Sequence, residues 1–445
     1  MMTSASIPSF EEDLLVAVSD AALLYQSALG ILQVTSLRYA RNSLYPLTGT
    51  FTNPGPYGGF IAMTMAIALG YLLMNRSRKR SIVWNTSLAA FAAGILVLPA
   101  SLSRTAWLAF GTGILPLLLR ETKLATWIKA HRYRSVLLAL AITGLLTGMF
   151  FIKKESAVGR FHIWHMECLA IAQKPLTGYG AGMELGAYGK AQEQYFRSGE
   201  RSIAEKVAAG CSEYPFNEFL GIGMQGGLPA LFAALAVCAL TLLGLKRKGS
   251  ALTYGMAALC IFSLASYPLS FPLFRAALLV YILYAIPLRA GALAGLALAM
   301  TLDLSSRTPQ EEYRSLYTMG YALFQQGDFE RALPYMEEGS RIAADPMFLV
   351  IQGRCHEGLQ DPSSAEEAYR RAIYRVPSRL YPRLLLARLL IRQKRDFEAL
   401  LLLDDAISIP VNPRNPNMVH LRQDCVHLAD SLQRECATPK NVTAP

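Results

Sequence analysis

The run LPALFAALAVCALTLLGL at residues 228–245 holds eighteen residues and no charged side chain. A helix rises about 1.5 Å per residue, so roughly 20 apolar residues cross a hydrocarbon layer about 30 Å thick. Gly226-Gly227 precedes the run, and Lys246-Arg247-Lys248 follows it. The stretch therefore predicts a membrane-spanning helix whose basic end faces the cytoplasm.

Similar runs elsewhere predict a multi-pass membrane protein. Of the 445 residues, 53% are hydrophobic and 17% charged, and the mean hydropathy is +0.28, which is too apolar for a soluble chain. The first thirteen residues hold three acidic and no basic side chains, so they are not a signal peptide. A marginal span at 14–37 is diluted by Asp20 and Gln26. The other predicted spans are 57–74, 82–100, 105–119, 136–152, 251–268, 273–288 and 290–304.

The placement of Lys and Arg predicts the orientation. Four, five and three of them fall in the connections 76–80, 120–134 and 246–248. Cytoplasmic loops carry such an excess, which explains most of the net charge of +11 without a nucleic-acid partner. The 153–215 connection and everything after residue 305 then lie outside. Seven cysteines, an odd number without paired spacing, indicate no disulfide framework.

The 153–215 connection is the longest in the membrane part. It mixes eight basic with seven acidic residues, which indicates a folded cap or lid, and loops of this length are usually functional or disordered. It leads into 216–225, predicted as a short segment at the membrane surface. The following helix is expected to be interrupted at Gly226-Gly227-Leu228-Pro229.

Residues 313–412 repeat one pattern three times. Each unit has a small residue, an alanine twelve positions later, a large residue four after that and a closing proline. Three of these positions recur every 33 or 34 residues: Gly320, Gly353 and Ala387; Ala332, Ala365 and Ala399; and Met336, Tyr369 and Leu403. Pro346, Pro377 and Pro410 end the units. This pattern is typical of three tetratricopeptide repeats, in which small residues let paired helices approach.

The predicted fold class is therefore all-α: a polytopic transmembrane helical bundle followed by a soluble tetratricopeptide-repeat solenoid. The membrane domain is placed at 1–304, with 153–215 as a large periplasmic loop. The repeats are placed at 305–415. Residues 416–445 are predicted to form a capping helix, at 417–436, and a tail.

Five short motifs resemble the bacterial O-antigen ligase and polymerase superfamily, which includes O-oligosaccharyltransferases. They occur in order over roughly residues 45–275. The motifs are Gly49-Thr-Phe-Thr-Asn53-Pro-Gly-Pro-Tyr-Gly-Gly59, Ser101-Leu-Ser-Arg104, Gly159-Arg160, Lys174-Pro-Leu-Thr-Gly-Tyr-Gly-Ala-Gly182, and Asn217-Glu-Phe-Leu with Gly227-Leu228.

The resemblance implies a metal-independent glycosyltransferase. Its donor is a glycan on undecaprenyl pyrophosphate, and its acceptor is a hydroxyl of lipid A–core or a protein Ser/Thr. The reaction takes place on the periplasmic face of the bacterial inner membrane, with membrane lipid around the enzyme and no cofactor. Two departures accompany it: Phe216 stands where the family usually has histidine, and several N-terminal spans are expected to be missing.

Three arginines are candidates for binding the pyrophosphate. Arg104 and Arg160 lie at the ends of predicted spans on the outer face, and a guanidinium presents a rigid donor fork that matches phosphate oxygens. Alternatively they are anchors that snorkel towards headgroups. Arg275, a few residues into a predicted span, is a third candidate; otherwise it pairs with a neighbouring acid.

The acceptor hydroxyl needs a base within hydrogen-bond reach. Glu218 is favoured over Glu213, with Asn217 as a substrate contact; alternatively Glu218 only charges the first turn of its helix. His162, one helical turn before His165, could bind the acceptor or act as base. Two histidines without a third ligand are weak grounds for a metal, so no metal is predicted.

Two other functions fit the same chain. A polysaccharide chain polymerase of the same superfamily would use another lipid-linked repeat unit as its acceptor. A non-enzymatic scaffold would use the membrane part only to anchor the repeats for envelope assembly. In each case the concave face of the repeats is expected to bind a protein partner.

Overall fold

The computed structural model describes residues 9–152, 154–286, 309–413 and 415–437, and all regular structure in them is helical. The predicted span at 290–304, the boundary between 304 and 305 and the tail after 437 lie outside the described residues. In chain order the helices are α1 (Phe10–Val34), α2 (Pro54–Met74), α3 (Ile82–Val97), α4 (Arg104–Glu121), α5 (Leu124–Ala130), α6 (Arg132–Ile152), α7 (Lys154–Gln173), α8 (Glu184–Arg197), α9 (Ile203–Ala208), α10 (Glu218–Arg247), α11 (Leu252–Ser263), α12 (Pro272–Ala285), α13 (Pro309–Gln325), α14 (Phe329–Ile342), α15 (Met347–Gly358), α16 (Pro362–Arg375), α17 (Tyr381–Arg392), α18 (Asp396–Ser408) and α19 (Pro416–Ala437).

The chain divides into two compact units, each taken here over its described residues. The first unit comprises Met1–Lys154, Phe216–Ile222 and Pro229–Ser305. The second unit comprises Glu155–Pro215, Gly223–Leu228 and Ser306–Pro445. The segment that the sequence analysis treated as a loop of the membrane domain thus clusters with the repeats.

Four helical stretches are long and apolar enough to cross a membrane, by length and composition: Phe10–Val34, Pro54–Met74, Ile82–Ser101 and Glu218–Arg247. Two shorter apolar helices, α11 and α12, cover parts of the predicted spans 251–268 and 273–288. Helix α4, on the predicted span 105–119, also includes Arg104, Arg120 and Glu121 and is not among the four. Helix α6 covers 136–152.

Helix α1 covers most of the marginal span predicted for 14–37 and is long and apolar enough to cross a membrane. It packs on α2 and α3, and Asp20 and Gln26 each have a hydrogen-bond partner outside the helix. Ser87 donates a hydrogen bond of 2.6 Å to Asp20, and Gln26 donates one of 2.7 Å to Thr50. Buried polar groups are tolerated when they are hydrogen-bonded, so the diluting residues do not exclude the helix from the apolar bundle.

Helix α10 is interrupted where the sequence predicted. Gly226 and Gly227 have non-helical dihedrals, and Gly227 adopts φ 70°, ψ −170°. That region of backbone space is essentially restricted to glycine, and Pro229, two residues on, has no N–H to continue the ladder. The predicted break is therefore confirmed, with its cause in the backbone.

The predicted repeats form three consecutive helix pairs, α13–α14, α15–α16 and α17–α18. A β-carbon on Gly320 would lie 2.6 Å from Met336 Cε, and one on Gly353 would overlap the Tyr369 ring. The third pair places buried Ala387 and Leu403 at the same positions. The small residues therefore allow close helix pairing, as predicted, and α19 packs against α18.

Candidate functional site

The N-terminus of α2 is built by the first of the five motifs. The Asn53 side chain accepts a hydrogen bond of 2.9 Å from the Gly55 N–H, and Pro54 is the first residue of the helix. A β-carbon on Gly58 would lie 2.7 Å from Ser101 Oγ and 2.9 Å from Ser103 Cβ. Only glycine lets this helix end lie directly against the Ser101–Arg104 turn.

That turn has its own internal hydrogen bonds. Ser101 Oγ donates to the Leu98 carbonyl at 2.6 Å, and Trp107 Nε1 donates to the same carbonyl at 2.9 Å. Leu102 is left-handed, with φ 49°, which is uncommon for a residue with a side chain. The turn ends at Arg104, which is the first residue of α4.

Phenylalanine rings join the start of α12 to the start of α2. Phe262 and Phe274 are stacked with centroids 6.1 Å apart, and the Phe60 ring meets Phe274 edge-on at 5.7 Å. Phe51 reaches Phe271 at 5.4 Å. We call these five side chains the aromatic cluster: Phe51, Phe60, Phe262, Phe271 and Phe274.

Arg275 follows the aromatic cluster directly, in the first turn of α12. Its Nε is buried and has no hydrogen-bond partner among the residues that the structure describes. The neighbouring acid that the sequence analysis allowed as its partner is not found there. A buried guanidinium nitrogen without an acceptor is costly, so Arg275 suits an incoming anion.

Asn217 and Glu218 form the start of α10. The Asn217 side chain accepts hydrogen bonds from the N–H groups of Phe219 (3.0 Å) and Leu220 (3.2 Å), which makes it the helix cap. Glu218 is only 8% exposed, and its Oε1 accepts a hydrogen bond of 2.6 Å from Leu269 N. This bond ties α10 to the turn Pro268–Ser270, just before α12.

Phe216 occupies the position at which the resemblance implies histidine. Its ring meets the ring of buried Tyr267 edge-on, with centroids 5.2 Å apart. An apolar ring cannot take a proton, so this side chain packs against the turn before α12 and leaves base chemistry to another residue.

Four helix N-termini therefore lie at one end of the first unit. Gly58 joins α2 to α4, the aromatic cluster joins α2 to α12, and Glu218 joins α10 to the turn before α12. Each N-terminus carries roughly half a positive charge, which favours anions. Arg104 and Arg275 stand in two of these first turns.

In the second unit, the backbone of the motif at 174–182 is hydrogen-bonded to the residues around the break in α10. Tyr179 N donates to the Met224 carbonyl at 2.8 Å, Gly180 N donates to Gln225 O at 2.9 Å, and Leu228 N donates to Pro175 O at 2.7 Å. A β-carbon on Gly227 would lie 2.6 Å from Pro175 O. Two motifs that are about fifty residues apart are thus one structural element.

Helix α7 carries Arg160, which is half-buried, and His162, which is buried. His162 Nε2 lies 2.9 Å from Gln192 Oε1, and burial lowers the pKa of this imidazole. His165 is exposed, with its ring 5.4 Å from that of Tyr195. The described residues hold no group of three or more His, Cys, Asp or Glu side chains placed to bind a metal.

Glu213, the weaker candidate for the base, lies 3.6 Å from Arg314 in an ion pair whose side chains are both more than half exposed. An exposed pair contributes little to stability. Sequence reasoning did not single out Gln192, the partner of His162. A glutamine within a helix carries no local signal of such a role.

An apolar helical bundle with paired-helix repeats defines a polytopic membrane protein with a tetratricopeptide solenoid. Residues 89–235 match the family model described as O-antigen ligase, and residues 317–379 match that of the tetratricopeptide repeat. Residues 89–235 are thus similar to the O-antigen ligase family, and tetratricopeptide repeats follow on the C-terminal side. The family match includes Arg104, Arg160, Asn217 and Glu218. A comparison with curated proteins gave no match.

Proposed function

We propose that this membrane protein transfers a glycan from undecaprenyl pyrophosphate to a hydroxyl of lipid A–core or of a protein Ser/Thr. The reaction would take place on the periplasmic face of the bacterial inner membrane, with the repeats in the periplasm. The observation that carries the proposal is the convergence of four helix N-termini, with Arg104 and Arg275 in two first turns. Such an end favours an anionic ligand such as a pyrophosphate.

The arginines are assigned to the leaving group. Transfer breaks the bond between the anomeric carbon and the pyrophosphate, and negative charge grows on the departing oxygen. Guanidinium forks and helix N-termini that are already in place stabilise that charge without reorganisation. Arg104 and Arg160 are the proposed pyrophosphate ligands, and Arg275 is an additional one in the first unit.

Glu218 is the proposed general base. The acceptor hydroxyl attacks the anomeric carbon, its proton passes to the carboxylate, and undecaprenyl pyrophosphate leaves; one direct displacement inverts the anomeric centre. One carboxylate oxygen, Oε1, accepts from Leu269 N, which orients the group. Asn217 holds the start of α10, and His162 and Glu213 are the alternative acceptor-binding or basic residues.

The repeats are proposed to bind a protein partner in their concave groove. This groove has a volume of about 690 Å³ and is lined by Tyr321, Phe324, Arg354, Arg388 and Arg392, among others. Arg354 lies over the Phe324 ring at 4.6 Å, and Arg388 has no ion pair within the described part of the chain. Glu357 also lines the groove and pairs with Arg392, so Arg354 and Arg388 leave a net positive charge that supports an acidic peptide segment. Arg388→Glu should abolish the co-purification of a protein partner with the full-length protein, whereas Arg331→Glu on the outer helix α14 should not.

The test is the glycan profile of a cell that lacks this protein, complemented with wild type, Arg104→Lys or Arg275→Lys. A lysine keeps the charge and loses the bidentate fork, so both variants should leave full-length lipid-linked glycan untransferred. The matched control is Arg76→Lys, an exposed arginine in another connection, which should restore transfer.

Three outcomes would separate the functions. Full-length lipid-linked glycan that accumulates without the protein supports a transferase. Single repeat units left on the acceptor would instead mean a chain polymerase. Full rescue of glycan transfer by Arg104→Ala and Arg275→Ala would contradict the assigned site. A scaffold would be indicated if these variants restored transfer and only a variant without the repeats failed to do so.

A further inference from the structure

We infer that the outer helices of the repeats are a docking surface for the chain's own segment 184–211, and that Gln192 in this segment positions His162 for catalysis. The docking segment includes α8 and α9. The docking part of this inference is independent of the enzymatic activity. The positioning part rests on the proposed function in its alternative form, in which His162 and not Glu218 takes the acceptor proton.

Two glycines bring α8 against the repeat backbone. A β-carbon on Gly186 would overlap the Arg341 carbonyl oxygen, and one on Gly189 would lie 3.0 Å from Ala344 Cα. Helix α8 lies against α14 and α16, the second helices of the first two repeats. The concave groove is lined mainly by residues of the first helices, with Gly327 of the turn after α13 and Phe329 at the start of α14, so docking leaves the groove open.

In the second repeat, ion pairs hold α8 against the same outer surface. Glu193 accepts hydrogen bonds from Arg371 (2.8 Å) and Arg375 (2.9 Å), and the Arg375 side chain is only 3% exposed. Arg375 also donates to the Ser340 carbonyl at 2.8 Å. Removing one partner of a buried pair leaves an uncompensated charge, so the repeats need Glu193.

A second ion pair lies in the third repeat. Lys206 lies 2.7 Å from Asp405, which also accepts from Arg383 at 3.0 Å. The Arg383 side chain is 2% exposed, and the paired arginine and lysine together lower the pKa of Asp405. Two repeats therefore bind the segment at separate points, which is the pattern of a docking surface and not of one chance contact.

Gln192 links this surface to His162. Its Nε2 donates to the Gly210 carbonyl at 3.2 Å and to the Arg375 carbonyl, and two carbonyl partners define it as the amide nitrogen. Oε1 then accepts from Tyr188 (2.8 Å) and faces His162 Nε2 at 2.9 Å. An amide oxygen only accepts, so His162 Nε2 carries the proton.

This tautomer has a consequence for chemistry. With Nε2–H committed to Gln192, Nδ1 is the ring nitrogen that can accept a proton or a hydroxyl hydrogen bond. His162 follows Arg160 by two residues on α7. The repeats thus fix the protonation pattern of a residue in the family region through one glutamine, which makes Gln192 a positioning residue.

Docking is tested with the double variant Gly189→Cys/Ala344→Cys in the full-length protein in native membranes. The two β-carbons would lie 3.4 Å apart, close to the mean of about 3.8 Å for disulfides. Mild oxidation should link the two cysteine peptides, as read by mass spectrometry. The control is Gly199→Cys/Ala344→Cys, since Gly199 has open space around it. Linkage no greater than in this control overturns the docking.

If the double-cysteine protein is not produced in a folded form, Glu193→Gln provides a second measurement. Loss of the charge should free the docking segment and raise the rate of limited proteolysis at 198–202 several-fold. Glu200→Gln, an exposed acid of the same loop, is the control and should cleave like wild type. An unchanged rate in Glu193→Gln contradicts the docking.

Positioning is tested with Gln192→Met and Gln192→Glu in purified full-length enzyme. Methionine removes the acceptor, so kcat should fall roughly tenfold, less than the ~10²–10⁴-fold loss expected when proton-transfer catalysis is removed altogether, with KM for the donor unchanged. Glutamate keeps an acceptor and should restore part of kcat. Adding His162→Asn to Gln192→Met should not lower kcat further than His162→Asn alone does, because Gln192 acts only through the His162 imidazole.

Equal kcat in all Gln192 variants would overturn the positioning role. Because the disulfide and proteolysis readouts need no turnover, an inactive wild-type enzyme would contradict the proposed function and leave the docking result standing.

Discussion

Gly58 and Ser101 meet with no room for a side chain between them: a β-carbon on Gly58 would lie 2.7 Å from Ser101 Oγ. Ser101 Oγ cannot retreat easily, since it donates to the Leu98 carbonyl at 2.6 Å. The contact joins the Asn53–Gly59 motif to the turn that presents Arg104. The close approach of α2 to the turn before Arg104 therefore depends on the absence of one methyl group.

Gly58→Ala should destabilise the protein by about 1–3 kcal/mol, the usual cost of overpacking, and should reduce glycan transfer by displacing Arg104. Thermal unfolding of the purified protein in detergent measures the first effect. Gly111→Ala is the matched control, because that glycine lies within α4 with nothing near its added β-carbon. Equal melting temperatures for the two variants would contradict the contact.

Glu218→Gln should fold normally and lose transfer. The amide oxygen can still accept from Leu269 N, but an amide cannot take the acceptor proton, so kcat should fall about 10²–10⁴-fold. Glu218→Ala should lose the hydrogen bond from Leu269 N as well as the proton acceptor. Glu11→Gln, an exposed acid in the first turn of α1, controls for a helix-dipole effect. Wild-type turnover in Glu218→Gln would leave Glu218 a purely structural role.

Gly227→Ala should be among the most damaging substitutions in the chain. An alanine there must adopt φ 70°, ψ −170°, and its β-carbon would lie 2.6 Å from the Pro175 carbonyl oxygen. Backbone strain alone costs about 1–3 kcal/mol. Protein yield and melting temperature measure the loss, with Gly199→Ala as a control at an open position. A stable Gly227→Ala protein would contradict the observed break in α10.

Acidification should destabilise the second unit through His162. Burial lowers the pKa of its imidazole in the folded state, so below the ordinary value of about 6.5 the unfolded chain binds more protons. Stability is therefore complete above that pH and falls as pH drops through it towards the folded-state pKa. Melting temperatures from pH 7.5 to 5.5 should decline less in His162→Asn than in wild type. His165→Asn, at an exposed histidine, should follow the wild-type curve.

Local properties of the sequence predicted most of the architecture. The length of apolar runs indicates spans, and the period of 33–34 residues indicates repeats, because both depend on neighbours within one or two helices. Gly320 and Met336 are such a pair. The polar residue Asp20 made the span at 14–37 look marginal in the sequence, because its partner Ser87 lies on another helix.

Local sequence patterns were enough to predict the all-α class, the long apolar helices, the break at Gly226-Gly227, the repeats and the positions of five motifs. Which motifs meet became clear from the folded chain: Gly58 with Ser101, the 174–182 loop with Gly227, and Glu193 with Arg375. These contacts join residues from about forty to 182 positions apart. Helical periodicity specifies which face of a helix is buried, and shape and charge in the folded chain then select what covers it.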